Sequence, residues 1–158
     1  MTTPDLENTL YLELDAGRVV IDLFPKVAPE HVARVKELAR DGFYDGIVFH
    51  RVIPGFMAQT GDPTGTGRGG SDKPDLRSEF SKLPFERGTI GAARTQNPHS
   101  ANSQWFICFK STPHLNGQYT IWGQVTTGMD LVDAIAQGEP PATPDKIVSL
   151  KVAADVEG

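Results

Sequence analysis

The chain reads as a mainly β protein of about eight short strands and two helices, arranged as a closed barrel or a sandwich. Three observations predict this class. Sixteen glycines and twelve prolines among 158 residues call for many tight turns. Apolar residues recur at every second position in one short segment after another. Only two segments carry apolar residues at helical spacing, and many short strands with few helices favour barrels and sandwiches. No internal repeat, linker or composition break interrupts the chain, so residues 1–158 read as one domain. A domain of this size buries roughly 68–70% of its unfolded surface and needs no disulfide or metal to fold.

The elements follow in order. Leu10, Leu12 and Leu14 alternate with Tyr11, Glu13 and Asp15, and Val19, Ile21 and Leu23 alternate after the Asp15-Ala16-Gly17 turn. Residues 9–24 therefore read as a hairpin ended by Pro25. Pro29 suits a first helical turn and Glu30 its positive end. Ala28, Val32, Val35 and Ala39 share a face, and Gly42 stops the helix. Ala28 is a poor cap for its start. Ile47 to Ile53 reads as a strand bent at Pro54-Gly55 and continued by Met57 to Thr60. Residues 61–78 form a long loop of the kind that is usually functional or mobile. Short strands are expected at Thr89–Ala93, Trp105–Phe109 and Thr120–Val125, with irregular chain at 94–103 and 110–119 between them. Thr127 and Asp130 stand at the spacing of a capping box for a second helix, with Met129, Val132 and Ala136 on its apolar face. Gly138 and Pro140 end that helix. In the last strand, Lys146 to Ala153, Val148, Leu150 and Val152 alternate.

Composition narrows the function. The formal charge is −5, the wrong sign for a general nucleic-acid binder. Cys108 is the one cysteine, which suits a reducing compartment. Residues Met1 to Asn8 lack a basic or apolar targeting pattern, and no run of about 18 apolar residues occurs, so a cytoplasmic protein without membrane contact is expected.

Common catalytic sites find little support. His31, His50, His99 and His114 form no zinc-binding pattern, and no G-x-S-x-G elbow is present. His31 is expected to face solvent from its helix, His50 to pack in a strand, and Cys108 to be a buried structural thiol. The run Gly65-Thr66-Gly67-Arg68-Gly69-Gly70 lacks the ending of a phosphate loop and opens no helix, so a turn-rich loop is the better reading.

The segment from Phe49 to Gln59 stands apart. It sets Arg51, Phe56, Met57 and Gln59 close together, the makings of an apolar pocket with a charge-assisted donor. Alternation puts Phe49, Arg51 and Ile53 on one face, and Met57 with Gln59 on one face after the bend. In a second group, Gln104, Phe106 and Cys108 share a face opposite Trp105, Ile107 and Phe109. One face can fill the core while the other lines a groove. An unpaired buried guanidinium is expensive, so Arg51 needs either a substrate or an acidic partner such as Glu79 or Glu86.

These segments resemble the cyclophilins, a family of peptidyl-prolyl cis-trans isomerases. The resemblance rests on residues 49–62 (FHRVIPGFMAQTGD), on Gly65-Thr66-Gly67, on Ala93-Arg94-Thr95 and on Ser103-Gln104-Trp105-Phe106-Ile107, and it spans residues 8–153. The compact bacterial members are the nearest in pattern. The resemblance implies a closed eight-stranded antiparallel barrel capped by two helices, with an outer groove and no cofactor or metal. It implies that Arg51 is the catalytic arginine and Gln59 its polar companion. Phe56, Met57, Phe106 and Leu115 then correspond to the wall of a proline pocket, and Gln104 to a polar group beside the substrate backbone. Thr95 stands where the family has a backbone-binding asparagine, with Arg94 and Gln96 beside it. His114 replaces an indole prominent in cyclosporin binding, and Tyr119 replaces a pocket histidine. That pattern implies weakened cyclosporin affinity with turnover kept. Proline-containing peptides and unfolded proteins are the implied partners, and a monomer is expected because no large exposed apolar stripe suggests more. A non-catalytic binder of proline segments is the alternative. A lipocalin-like barrel would need an apolar lumen, which Leu12, Ile21, Trp105 and Phe109 are expected to fill.

Overall fold

The computed structural model describes residues 5–157. Eight strands form one antiparallel sheet: β1 (Thr9–Leu14), β2 (Gly17–Leu23), β3 (Arg51–Ile53), β4 (Met57–Thr60), β5 (Thr89–Ala92), β6 (Trp105–Cys108), β7 (Ile121–Thr127) and β8 (Ser149–Val152). Their spatial order is β3-β4-β6-β5-β7-β2-β1-β8. Three helices accompany them: α1 (Pro29–Arg40), α2 (Met129–Asp133) and a short C-terminal α3 (Ala153–Glu157) that alternation did not predict. Arg40 of α1 bonds Asp155 of α3 at 3.0 Å.

The sheet curls on itself, but its closure is looser than a continuous barrel. The edges β3 and β8 share no ladder. Irregular chain preceding each edge joins them instead: Phe49 N–H donates to Asp145 O (2.9 Å), Ile147 N–H to Ile47 O (2.8 Å) and Gly46 N–H to Ile147 O (2.7 Å). Ile47 O and Phe49 N–H are spent on that seam, and the strand expected from Ile47 starts only at Arg51. The strand parity inferred across it fails for the same reason. Phe49 points into the core while Arg51 is exposed. Nor does Met57–Thr60 continue β3. The chain reverses at Pro54-Gly55, with Phe56 N–H donating to Ile53 O, and β4 runs back antiparallel, pairing Arg51 with Gln59. Gly55 takes a φ of 72°, which glycine adopts without strain.

The interior is filled. Leu10, Leu12, Val19, Ile21, Ile90, Ile107 and Leu150 are fully buried, and Trp105 meets Trp122 edge-on at 5.7 Å between ring centroids. Among the described residues these side chains occupy the interior that a lipocalin-type ligand would need, although Phe109, expected to help fill it, is only half-buried. Val32, Val35, Leu38 and Ala39 of α1 join the same cluster. Val148, expected to alternate inward, is 53% exposed. Ile147 takes the inward place, because the chain breaks step between Ile147 and β8.

The start of α1 is as expected, with Ala28 as cap and Pro29 in the first turn, while that of α2 differs. Thr127 and Asp130 make no capping box. The cap of α2 is Gly128, with a φ of 89°, and a Cβ there would lie 2.7 Å from Arg18 O. At α1 the poorly capping Ala28 is helped by Glu79, which lies 48 residues beyond His31. The Glu79 carboxylate accepts from the His31 N–H (2.9 Å) and the Glu30 N–H (3.2 Å), and lies 2.6 Å from His31 Nδ1. This draws the His31 ring inward to 3% exposure, contrary to the solvent-facing position expected. Ion pairing inside a helix-terminus field does not by itself keep the ring charged: burial lowers the His31 pKa below its ordinary 6.5, against the opposing pull of Glu79.

The unfolded chain therefore takes up a proton near pH 6.5 that the folded state resists. Stability is full above that pH and declines as pH falls through it. Thermal unfolding at pH 7.5 and 5.5 should show a lower Tm at 5.5. His31→Gln, which keeps a donor for Glu79, should shrink that difference; an unchanged difference would remove His31 as its source.

Candidate active site

Period two along β4 and β6 builds the site. Met57 pairs with Cys108, Ala58 with Ile107, Gln59 with Phe106 and Thr60 with Trp105. Ala58, Trp105 and Ile107 face the interior. Met57, Phe106 and Cys108 face outward, yet they are buried, because Phe85, Leu115 and Ile121 cover them as a second apolar cluster. Phe85 stacks on Phe106 at 5.7 Å with planes 19° apart. Cys108 is buried as expected, and burial pushes its thiol pKa up.

A small cavity of about 110 Å³ opens on this cluster, lined by Arg51, Phe56, Met57, Gln59, Phe106, Leu115 and Tyr119, with Ala93 and Arg94 at one side. Its floor is apolar and buried: Met57, Phe106 and Leu115 are 2%, 4% and 7% exposed. Tyr119 meets Phe106 edge-on at 5.7 Å, and the Arg94 guanidinium lies 4.5 Å over the Tyr119 ring. Arg94 is fixed there by bonds to Gln118 O (2.6 Å) and Thr95 O (2.8 Å). His114, on the turn Pro113–Leu115, packs its ring 5.6 Å from Phe56 at the exposed rim.

Arg51 is not buried. Its side chain is 44% exposed, and its Nε donates to Glu139 Oε1 at 3.1 Å. The acidic partner is thus neither Glu79, which caps α1, nor Glu86. Glu139 follows Gly138, and Gly138 exchanges backbone hydrogen bonds with Val52. No spacing along the sequence links it to Arg51.

A larger cavity of about 550 Å³ adjoins the first and shares Gln59, Ala93 and Arg94 with it. Gln104 and Thr95 line this second space; Gln96 is exposed and lines neither. The Thr95 N–H donates to Ser100 Oγ (2.9 Å) and its carbonyl accepts from Arg94, so both backbone groups already have partners.

The glycine-rich loop forms the far wall of that space. Its N–H groups do point at an anion, but the anion is internal. Asp62 accepts from Thr64 N–H (2.8 Å), Thr66 N–H (3.1 Å) and Gly67 N–H (2.6 Å), and from the Thr64 hydroxyl (2.8 Å). Burial works against ionisation of Asp62, but the Gly69, Thr64 and Gly67 N–H groups with the Thr64 hydroxyl outweigh it and hold the carboxyl well below its usual range. The loop is organised, and no phosphate need be invoked for it. In turn its Gly67 and Gly69 carbonyls accept both Nε2 hydrogens of Gln104 (3.0 and 2.9 Å), and Gln104 Oε1 accepts from Gln59 Nε2 (2.9 Å). Asp62 was visible in the sequence as part of the matching segment, but its carboxylate carries no spacing signal that marks it as the loop's anchor.

Among the described residues no group of three or more His, Cys, Asp or Glu is placed to hold a metal ion, and no helix is long and apolar enough to cross a membrane.

Asp62→Ala should free the loop amides. Hydrogen exchange at residues 64–69 should accelerate by at least tenfold, since bonds to a charged acceptor contribute about 1.5–3 kcal/mol each. Unchanged exchange would show that the loop holds itself.

With this geometry in view, the family model for cyclophilin type peptidyl-prolyl cis-trans isomerase matches residues 9–152. A probable peptidyl-prolyl cis-trans isomerase of Brucella suis biovar 1 (strain 1330) is 52% identical over 169 aligned positions, covering 97% of this chain and 86% of the relative. Peptidyl-prolyl cis-trans isomerase B of Bacillus subtilis (strain 168) is 38% identical, covering 85% and 94%. Among solved structures, cyclophilin AquaCyp293 from Hirschia baltica superposes with a TM-score of 0.90 at 28% identity, over 98% of this chain and 77% of its own. A cyclophilin-type isomerase of Cryptosporidium parvum, solved in the presence of the dipeptide Ala-Pro, gives 0.85 at 28% identity, over 91% and 98%.

Proposed function

This chain belongs to the cyclophilin-type peptidyl-prolyl cis-trans isomerases, and from that premise we propose how its groove speeds rotation about X-Pro bonds. The X-Pro bond is a tertiary amide whose cis and trans forms are close in free energy. Resonance raises the barrier between them to about 18–20 kcal/mol. Twisting the bond localises a lone pair on the prolyl nitrogen. A donor aimed at that nitrogen stabilises the twisted state more than either planar one, and only such differential binding accelerates the reaction.

Arg51 is that donor. It is permanently charged and carries several N–H groups in a rigid fork. The observation that carries this assignment is its place at the edge of a cavity floored by the buried apolar side chains of Met57, Phe106 and Leu115. Phe56, Met57, Phe106 and Leu115 grip the pyrrolidine ring, with Tyr119 closing one side. Gln59 retains one amide hydrogen after serving Gln104 and donates it to the carbonyl before the proline. Gln104, Arg94 and Thr95 flank the chain preceding the proline, and His114 borders the rim. Residues 1–158 act as one isomerase domain and as a monomer, on proline-containing peptides and unfolded proteins. A reducing cytoplasm suits the single buried thiol of Cys108. Chemistry of this kind moves no proton and forms no covalent intermediate, so the groove needs no cofactor.

A protease-coupled assay on a proline peptide tests the central assignment. Arg51→Ala should lower kcat/KM by about 10²-fold or more, the scale of losing one preorganised donor. Equal rates for variant and parent would sink it and favour a binder without turnover. The His114 ring offers cyclosporin less apolar area than an indole would, so affinity for it is weakened. His114→Trp should tighten cyclosporin binding in a calorimetric titration while leaving turnover within about twofold, since rim contacts bear weakly on the twisted state. Unaltered affinity would remove residue 114 as the determinant.

A further inference from the structure

We propose that Glu139 is a positioning residue that holds the Arg51 guanidinium in its working orientation; the proposal rests on the reading of Arg51 as the donor to the prolyl nitrogen. Arg51 lies on the edge strand β3 with its side chain 44% exposed, and Glu139 is its one hydrogen-bond partner among the described residues. Left alone, a long side chain on an exposed edge samples many rotamers, and few of them aim at the cavity. The bond from Nε to Glu139 Oε1, 3.1 Å long, takes the one donor on the stem side of the fork. It leaves the four Nη hydrogens for the groove.

The carboxylate is itself delivered from fixed backbone. Val52 N–H donates to Gly138 O (2.8 Å) and Gly138 N–H to Val52 O (2.9 Å). Residues 138 and 52 are the immediate neighbours of Glu139 and Arg51, so the two side chains leave backbones already pinned together. Position 138 admits only glycine, since a Cβ there would lie 2.6 Å from Pro141 Cα, and its φ is 143°.

A nearby anion also acts against catalysis, because it draws on the positive charge that the twisted state needs. Exposure decides which effect dominates. With the partners 44% and 58% exposed, water screens the field of Glu139, while the Gly138–Val52 backbone bonds keep its carboxylate beside Nε. Positioning therefore outweighs the loss of field.

The experiment compares Glu139→Ala, Glu139→Gln, Arg51→Ala and the Arg51→Ala/Glu139→Ala double variant. Rates come from the coupled assay, and the split between binding and turnover from isomer-exchange line shapes. Glu139→Ala should lower kcat by about two- to fivefold, the scale of an exposed ion pair, with substrate affinity and Tm unchanged. Glu139→Gln, which still accepts from Nε, should recover most of that loss. In the Arg51→Ala background Glu139→Ala should cost nothing further, since the two residues act as one unit. A rate that is unchanged or raised in Glu139→Ala, or an equal loss in both backgrounds, would overturn the proposal. A normal rate in Arg51→Ala would instead overturn the reading beneath it, so the two failures are distinguishable.

Discussion

The two-residue period of the β4–β6 ladder is the constraint on which the rest of the molecule depends. Each residue on these strands faces either the interior or the groove, and a slip of one position would exchange the two sets. Ala58 and Ile107, facing inward, meet the Trp105–Trp122 core; Met57 and Phe106, facing outward, floor the cavity. The groove is therefore not an addition to the sheet. It is the outer surface of the same strands whose inner surface makes the core. Burying both faces requires a cover, and Phe85, Leu115 and Ile121 supply it. Close approach is needed there: a Cβ on Gly91 would lie 2.7 Å from the Phe85 ring and 2.8 Å from Phe106.

Polar order reaches the groove by a separate route. Asp62 gathers the N–H groups of its loop, which fixes where the Gly67 and Gly69 carbonyls stand. Those carbonyls accept both Gln104 amide hydrogens, so Gln104 must turn its oxygen toward Gln59. Gln59 then has to present its nitrogen to Gln104. The orientation of an amide is otherwise ambiguous, and here the hydrogen-bond count resolves it. A buried carboxylate thus sets the polarity of a group in the cavity through two intermediates, each of them fully satisfied.

Local signals carried much of this. The β1–β2 hairpin, the apolar face of α1, the opposite faces of β6 and the buried thiol of Cys108 all follow from residue period and type. The failures have a common physical form. Ala28 looked badly capped because its partner, Glu79, lies far away in sequence; the same long-range bond buries His31. Ile47–His50 looked like strand because its residues alternate, but its hydrogen bonds go to residues 145–147 across the seam. Val148 fell on the wrong face where the chain breaks step before β8. Glu139 was not found at all, since nothing in its own neighbourhood marks it as the partner of Arg51. Period and propensity report what a segment does with itself. They are silent on which distant group completes it.

The exposure of Arg51 is where that silence mattered most for function. Reading the guanidinium as buried made its partner a question of stability, because a buried ion demands compensation at all times. Half-exposed on an edge strand, it carries no such standing cost. Water solvates it until a substrate arrives, and the substrate itself supplies the apolar cover that strengthens its bonds. The division of labour in the cavity follows from this. Apolar groups with no solvation to lose, Met57, Phe106 and Leu115, are buried in advance and form the cavity floor. In the mechanism proposed for Arg51, the cation waits at the rim, and its desolvation is deferred to the encounter with the substrate. A guanidinium placed on the floor would have carried that penalty in every molecule of the free enzyme.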